Sequence, residues 1–282
     1  MIRLILTFLW LVVYSSRGYV HQKIRLSRYL ALNARAYGSL ALVGAGPGDP
    51  DMLTLQAVKL LNNASLVIAD RLISKEILDI VKCELKVANK LPGCAEDAQE
   101  EIYKWIYDAI IDGRNVVRLK IGDPFLFGRG GEEILRMKKS LGIDPLIAPG
   151  ISSSYAAPLA ANIPLTHRGI SNQVLISTGY GKNSEVIDIP EYNSDRTVVL
   201  LMAVGRIDEI SKNMTECKGY PSETPVAIVE KATTPHQRTL IGTLETIGHV
   251  AKVHKAKAPA TIVVGKIFYY FFLHNYLQFN TI

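Results

Sequence analysis

Acidic residues are absent from the first 48 positions of this 282-residue chain; the first is Asp49. Arg3, Arg17, Lys23, Arg25, Arg28 and Arg35 lie in that stretch, and they account for the whole formal excess of +6. Beyond it acids and bases balance, so a pI near 9.1 is no argument for nucleic-acid binding by the folded part. Cysteine is scarce. Cys83, Cys94 and Cys217 leave one thiol over in any intramolecular pairing, and no spacing resembles a zinc knuckle, so no metal site is expected. No internal repeat or low-complexity tract stands out. Neither the apolar run Ile2–Val13 nor the aromatic run Phe268–Tyr276 reaches the ~20 residues a membrane helix needs, so no stable membrane span is expected.

What is present at the ends reads as extension. Ile2–Val13 behind Arg3 looks like a signal-peptide core, and the basic Ser/Arg/Ala stretch after Ser15-Ser16 looks like a transit peptide. The two in tandem suit a plastid reached through the secretory route. A simple secretory signal, a mitochondrial presequence, or a misassigned start codon with a cytoplasmic product remain open. Residues 1–38 are set apart from the fold as a targeting extension, and 269–282 as an aromatic tail.

Between them, 48% apolar composition can supply one large core or two modest ones. From Ser39 strand and helix patterns alternate. Leu40–Val43, Leu66–Ala69, Leu85–Ala88, Asn115–Leu119 and Pro145–Ala148 read as strands; Thr54–Leu61, Lys75–Val81, Glu96–Ile111 and Glu132–Leu141 read as helices. This alternation predicts an α/β fold with a largely parallel sheet over 39–165. A second α/β unit, 166–268, holds strand patterns at Val174–Thr178, Thr197–Met202, Val226–Glu230, Arg238–Ile241 and Ala260–Val264. Its best helix is Ile207–Cys217, and its late adjacent strands suggest a mixed sheet. Two such domains would leave a cleft between them, a favoured ligand position.

The first strand runs into Gly44-Ala-Gly46-Pro47-Gly48-Asp49. This is not a dinucleotide fingerprint, because Asp49 stands where the third glycine of G-x-G-x-x-G belongs and Pro47 has no N–H for a phosphate. A neutral or positive ligand, such as a sulfonium, suits the loop better. Asp70 closes the second strand, at the carboxyl edge where open α/β sheets bind ligands; a surface pair with Arg71 or a helix cap is the plainer use. Lys90 follows the third strand on the same expected edge. The fourth strand enters Ile121-Gly122-Asp123-Pro-Phe-Leu126-Phe-Gly-Arg129-Gly-Gly-Glu-Glu133, a loop whose backbone can approach a ligand closely. His167 lacks a second histidine or cysteine at metal spacing and a serine elbow for a hydrolase triad. With Arg168 it suits a carboxylate clamp, since arginine binds carboxylates bidentately.

In series, Gly-x-Gly-Pro-Gly-Asp at 44–49, Asp70-Arg-Leu, Gly122-Asp-Pro-Phe-x-Phe-Gly-Arg-Gly-Gly-Glu-Glu133, Pro149-Gly-Ile-Ser152 and Pro164-Leu-Thr-His-Arg-Gly169 resemble the tetrapyrrole methylase family. The similarity runs collinearly from about Leu40 to Ile267. Diphthine synthases and rRNA methylases of the same fold share the first loop but differ around Arg129–Glu133 and Thr166–Gly169. Within the family, the resemblance implies methyl transfer from S-adenosylmethionine to two ring carbons of uroporphyrinogen III, giving precorrin-2 for sirohaem. It implies a cofactor folded against Pro47, Gly122, Asp123, Leu126, Ser152, Ser153, Met202 and Ala232. Asp70 falls at the family's proton acceptor and Lys90 at its proton donor. The substrate bears eight carboxylates, so Arg129, His167, Arg168 and Arg238 are expected contacts by charge and position. A homodimer is expected. Methylation alone is expected too, without the dehydrogenase–ferrochelatase half fused to some bacterial relatives. A methyltransferase acting at another ring position, or a silent tetrapyrrole-binding protein, is the alternative; the latter would have lost Asp70, Lys90 or the Asp123 loop.

Departures from the family pattern are Asn89, Ile121, Tyr180, Ala203 and Lys231-Ala232. Ile121 stands where a glycine is usual, and a β-branched residue would be strained there if the backbone required positive φ. Cofactor affinity is the property these departures bear on.

Overall fold

The computed structural model describes residues 37–88, 95–181 and 187–268. Lys90, Cys94, the N-terminal extension up to residue 36 and the aromatic tail from 269 lie outside the described residues.

Strands β1 (Ser39–Gly44), β2 (Leu66–Asp70), β3 (Glu84–Ala88), β4 (Asn115–Lys120) and β5 (Leu146–Ala148) form one sheet in the order β3-β2-β4-β1-β5. Every pair in it is parallel. Parallel strands need crossovers, and helices on both faces bury them, so their sequences are apolar on both sides. Ala41, Val43, Val67, Ala69, Val117 and Leu119 face Ala57 and Leu61 of the helix Leu55–Asn63. Leu40, Leu42, Leu66, Ile68 and Val116 meet Ile102, Ile106 and Ile110 of Ala95–Ile111 and Met137 of Gly130–Leu141 on the other face. Thr54 caps the first of these helices, its hydroxyl accepting from Ala57 N at 3.1 Å.

The second sheet comprises β6 (Gln173–Thr178), β7 (Arg196–Leu201), β8 (Pro225–Glu230), β9 (Arg238–Thr243) and β10 (Ala260–Val264), in the order β6-β7-β10-β8-β9. β6 and β7 are parallel and the remaining pairs antiparallel, a mixed sheet as the strand spacing predicts. Val198, Leu200, Ile228 and Ile262 pack there with Ile207, Ile210 and Ile247.

Two helices escape the sequence pattern. Ser153–Ala160 contains Pro158, and Ile247–Val253 contains Gly248 and two valines, so local propensity argues against both. Packing decides instead: Ala156 and Ala157 in the first, and Ile247 and Ala251 in the second, are buried. The predicted helix at 207–217 is α-helical over Ile207–Lys212 and widens to a π turn over Asn213–Cys217. Among the described residues no helix is long and apolar enough to cross a membrane, and no cluster of three His, Cys, Asp or Glu could hold a metal.

Candidate active site

Three loops leave the carboxyl edge of the first sheet, after β1, β4 and β5, and they meet backbone to backbone. Gly46 N donates to Gly122 O at 3.2 Å, and Gly122 N returns a bond to Gly46 O at 2.9 Å. Gly122 sits at φ +66°, a conformation that favours glycine. A Cβ on Gly150 would lie 2.1 Å from Gly122 O and 2.7 Å from Gly44 Cα. Asp123 straps the assembly, its carboxylate accepting from Gly150 N at 3.1 Å and from Phe125 N at 2.8 Å. Asp49 instead caps the turn Pro50–Met52, accepting from Asp51 N at 2.9 Å, while its own N–H donates to Thr233 Oγ1 at 3.1 Å.

Above these loops lies a cavity of about 520 Å³, within the usual range for small-molecule sites. Pro47, Gly122, Asp123, Leu126, Ser152, Ser153, Met202 and Ala232 all line it, so the positions singled out by sequence converge on one space. Ile121 lines it too, without a positive φ, and its side chain is half-buried against the first sheet's core. The strain considered for this residue is absent. Tyr180, another departure, is in the wall beneath the Arg206 guanidinium, 5.3 Å from its ring centroid. The second sheet contributes Leu201, Val229 and Thr261, and the Lys257–Pro259 turn completes that side. Sequence patterns gave no sign of that turn. Asp123 and Lys257 are the charged residues of the lining.

Non-glycine residues at positive φ gather here: Phe127 at 55° and Met202 at 54° in the lining, and Lys231 at 45° and Thr233 at 65° on either side of Ala232. Such backbone is uncommon, above all for a β-branched threonine, and tends to concentrate at functional sites.

The remaining sequence candidates lie elsewhere. Arg129 is the left-handed residue that opens the helix Gly130–Leu141, half-exposed, its Nη2 and Nε both donating to Glu132 Oε2 at 2.6 and 3.0 Å. His167 and Arg168 are exposed in a turn closed by His167 N donating to Ser171 O at 2.9 Å; His167 Nδ1 is 2.8 Å from Arg168 O. Arg238 Nε donates to buried Glu230 at 2.5 Å, and Glu230 also accepts from Lys257 N at 2.6 Å. None of the four is in the cavity lining. Lys90 lies outside the described residues.

Asp70 ends β2, one strand over from the exit of β4, where Ala69 pairs with Leu119. Its carboxylate accepts from Arg118 Nη2. Arg118 is wholly buried, and its Nη1 donates to Ile68 O at 3.2 Å and to Leu119 O at 2.9 Å. Its Nε faces Glu133 Oε2 at 3.4 Å in Coulombic contact without a hydrogen bond. Glu133 Oε1 accepts from Lys120 Nζ at 2.7 Å and from Gln99 Nε2 at 3.2 Å. Burial alone would lower the Arg118 pKa, but Asp70 and Glu133 outweigh it and hold the guanidinium above its ordinary value. Burial, with the neighbouring Arg118 charge, pulls Lys120 below the ordinary lysine value despite Glu133. Sequence motifs do not reveal Arg118 as the partner of Asp70, nor Glu133 and Lys120 behind it. The available signal was two cations in alternation with Val116 on one face of a strand covered on both sides.

The family described as Tetrapyrrole (Corrin/Porphyrin) Methylases matches residues 39–248. This chain belongs to the tetrapyrrole methylases. Among curated family members, the uroporphyrinogen-III C-methyltransferase of Methanocaldococcus jannaschii is 42% identical over 235 residues, 82% of this chain and 96% of its own length. An Arabidopsis thaliana relative, named as an S-adenosyl-L-methionine-dependent uroporphyrinogen III methyltransferase, chloroplastic, is 35% identical over 82% of this chain and 63% of itself. This chain spans about half the length of several other curated relatives it matches. The crystal structure of the Thermus thermophilus uroporphyrin-III C-methyltransferase complexed with S-adenosyl homocysteine superposes with a TM-score of 0.70. It is 33% identical, covering 82% of this chain and 93% of that one.

Proposed function

We propose that this tetrapyrrole methylase transfers methyl groups from S-adenosylmethionine to two ring carbons of uroporphyrinogen III, giving precorrin-2 for sirohaem synthesis. The observation that carries the reading is the convergence of eight motif positions, from Pro47 to Ala232, on one cavity. The relatives' names and the S-adenosyl homocysteine complex of the Thermus thermophilus structure support the choice of substrate and donor. The cavity suits such a donor: apolar walls for the base, polar groups of the close glycine backbone for the ribose and amino-acid part, and Asp123 as the acid of the lining.

When bound, S-adenosylmethionine would supply an electrophilic methyl on a sulfonium. The reduced pyrrole brings its own electron pair, as an enamine carbon, so the protein's part is alignment and exclusion of water. The stitched glycine loops would make the floor rigid, and Leu126, Met202 and Val229 keep the cavity apolar. A ring that has gained a methyl is cationic and must lose a proton, which Asp70 would accept. Where the ring's double bonds shift, Lys90 would return a proton to one ring atom as another is lost, so the net change is one proton released per methyl. Arg129, His167, Arg168 and Arg238 would meet substrate carboxylates. Arg129 and Arg238 would first have to release or share Glu132 and Glu230.

The test is incubation of the purified chain with uroporphyrinogen III and S-adenosylmethionine under anaerobic conditions, read by product mass and ring position. A doubly methylated precorrin-2 is expected. Donor binding without turnover would establish a silent binding protein, and methylation elsewhere would establish a different ring specificity. Asp70→Asn should lose most of kcat; full turnover would remove Asp70 from its role.

The same proposal covers units at 39–165 and 166–268 that share the donor, a homodimer, and delivery to a plastid by residues 1–38. Light scattering of the purified chain checks the dimer. Fusion of residues 1–38 to a fluorescent protein distinguishes plastid, mitochondrion and cytoplasm.

A further inference from the structure

We propose that Arg118 and Glu133 are positioning residues that fix the carboxylate of Asp70 at the carboxyl edge of the first sheet. The loops after β1, β4 and β5 on that edge floor the cavity, although Asp70 itself is outside the cavity lining. The inference rests on the reading of Asp70 as proton acceptor. Val116, on the same face of β4, packs among Ile102, Ile106 and Met137, and an apolar side chain at 118 would extend that core. The chain instead buries Arg118, Lys120 and Glu133, at 0, 2 and 1% exposure, where replacing charges by packed apolar groups commonly loses no stability. Among the described residues, the charged series reaches solvent at Asp70, whose side chain is 19% exposed.

The geometry explains what the cluster does. Carbonyls of Ile68 and Leu119, on two neighbouring strands, hold the guanidinium through Nη1. That leaves Nη2 aimed at Asp70 along the sheet edge. Glu133 offsets the second cation, Lys120, so repulsion between the two cations does not displace Arg118 from Asp70. The helix that supplies Glu133 starts at the end of the Gly122–Arg129 loop, so one segment sets both the donor floor and the support of the acceptor.

Arg118→Lys keeps the charge but cannot span two carbonyls and a carboxylate together; Glu133→Gln keeps shape and removes the counter-charge. Each should lower kcat roughly 10–100-fold through misplacement of the acceptor. The Kd for S-adenosyl homocysteine and the KM for tetrapyrrole should stay within about twofold, as expected for an interaction made only in the transition state. Placed in an Asp70→Asn background, neither should lower kcat further, because they act through Asp70. Folded variants with unchanged kcat, or losses that multiply with that of Asp70→Asn, would overturn the positioning role while leaving Asp70 as acceptor. Full turnover by Asp70→Asn itself would sink the acceptor reading and this inference with it. Should Arg118→Lys fail to bind S-adenosyl homocysteine, the isosteric Glu133→Gln decides.

Discussion

Ile121 illustrates how a single residue can look misplaced in a sequence and be well placed in a fold. The backbone turns at Gly122 instead, and Ile121 packs beneath the cavity. Ile121→Gly should therefore destabilise the protein by about 2 kcal/mol, from lost burial and added chain entropy. It should not tighten S-adenosyl homocysteine binding by more than about threefold; urea melts and calorimetry measure the two. Lys120 makes a second residue-level prediction. Its folded pKa lies below the ordinary 10.5, so above its folded value the unfolded chain holds a proton that the native one lacks. Its contribution is complete above 10.5 and is lost as pH falls through the lowered value. The stability of the wild type relative to Lys120→Met should thus rise as the pH is raised from neutrality towards 10.5, measured by urea unfolding at each pH.

At the scale of elements, the glycine-lined joint between the loops after β1, β4 and β5 is the least tolerant part. Gly150→Ala drives a methyl into Gly122 O and should weaken S-adenosyl homocysteine binding by at least about tenfold, a displacement of the kind that costs little area but much alignment. Gly131→Ala is the control: nothing lies within 4 Å of the added methyl, and a helical alanine should stabilise by up to about 1 kcal/mol. Thermal melts and calorimetry on both variants separate the effects. Elements were also where the sequence was most legible. Parallel strands flanked by helices leave periodic apolar patterns, and the ten strands of the described residues lie within a few residues of the predicted ones. Ser153–Ala160 and Ile247–Val253 were hidden because tertiary burial, not local propensity, makes them helical. The motif loops could be read because their small residues are required by backbone contact. Arg118 and Lys120 could not, because alternating charge in a strand normally marks a wet face, and this sheet has none there.

Across the whole molecule the two sheets are joined through small polar contacts as well as apolar ones. Gln237 donates to Ala160 O at 2.9 Å and accepts from Thr233 N at 2.7 Å, while Thr233 receives Asp49 N. Gln237→Leu would leave two part-buried backbone groups unpaired, costing about 1–3 kcal/mol. It should also loosen the turn that carries Ala232, and a lower Tm together with weaker S-adenosyl homocysteine binding is the expected pair of readouts. The cavity walls run from Pro47 to Thr261, nearly the full span of the folded sequence. A chain emerging from the ribosome can therefore complete its first sheet long before it possesses a donor site. Occupancy by the methyl donor becomes a report on complete synthesis: fragments ending before β10 would be structured in part yet blind to it.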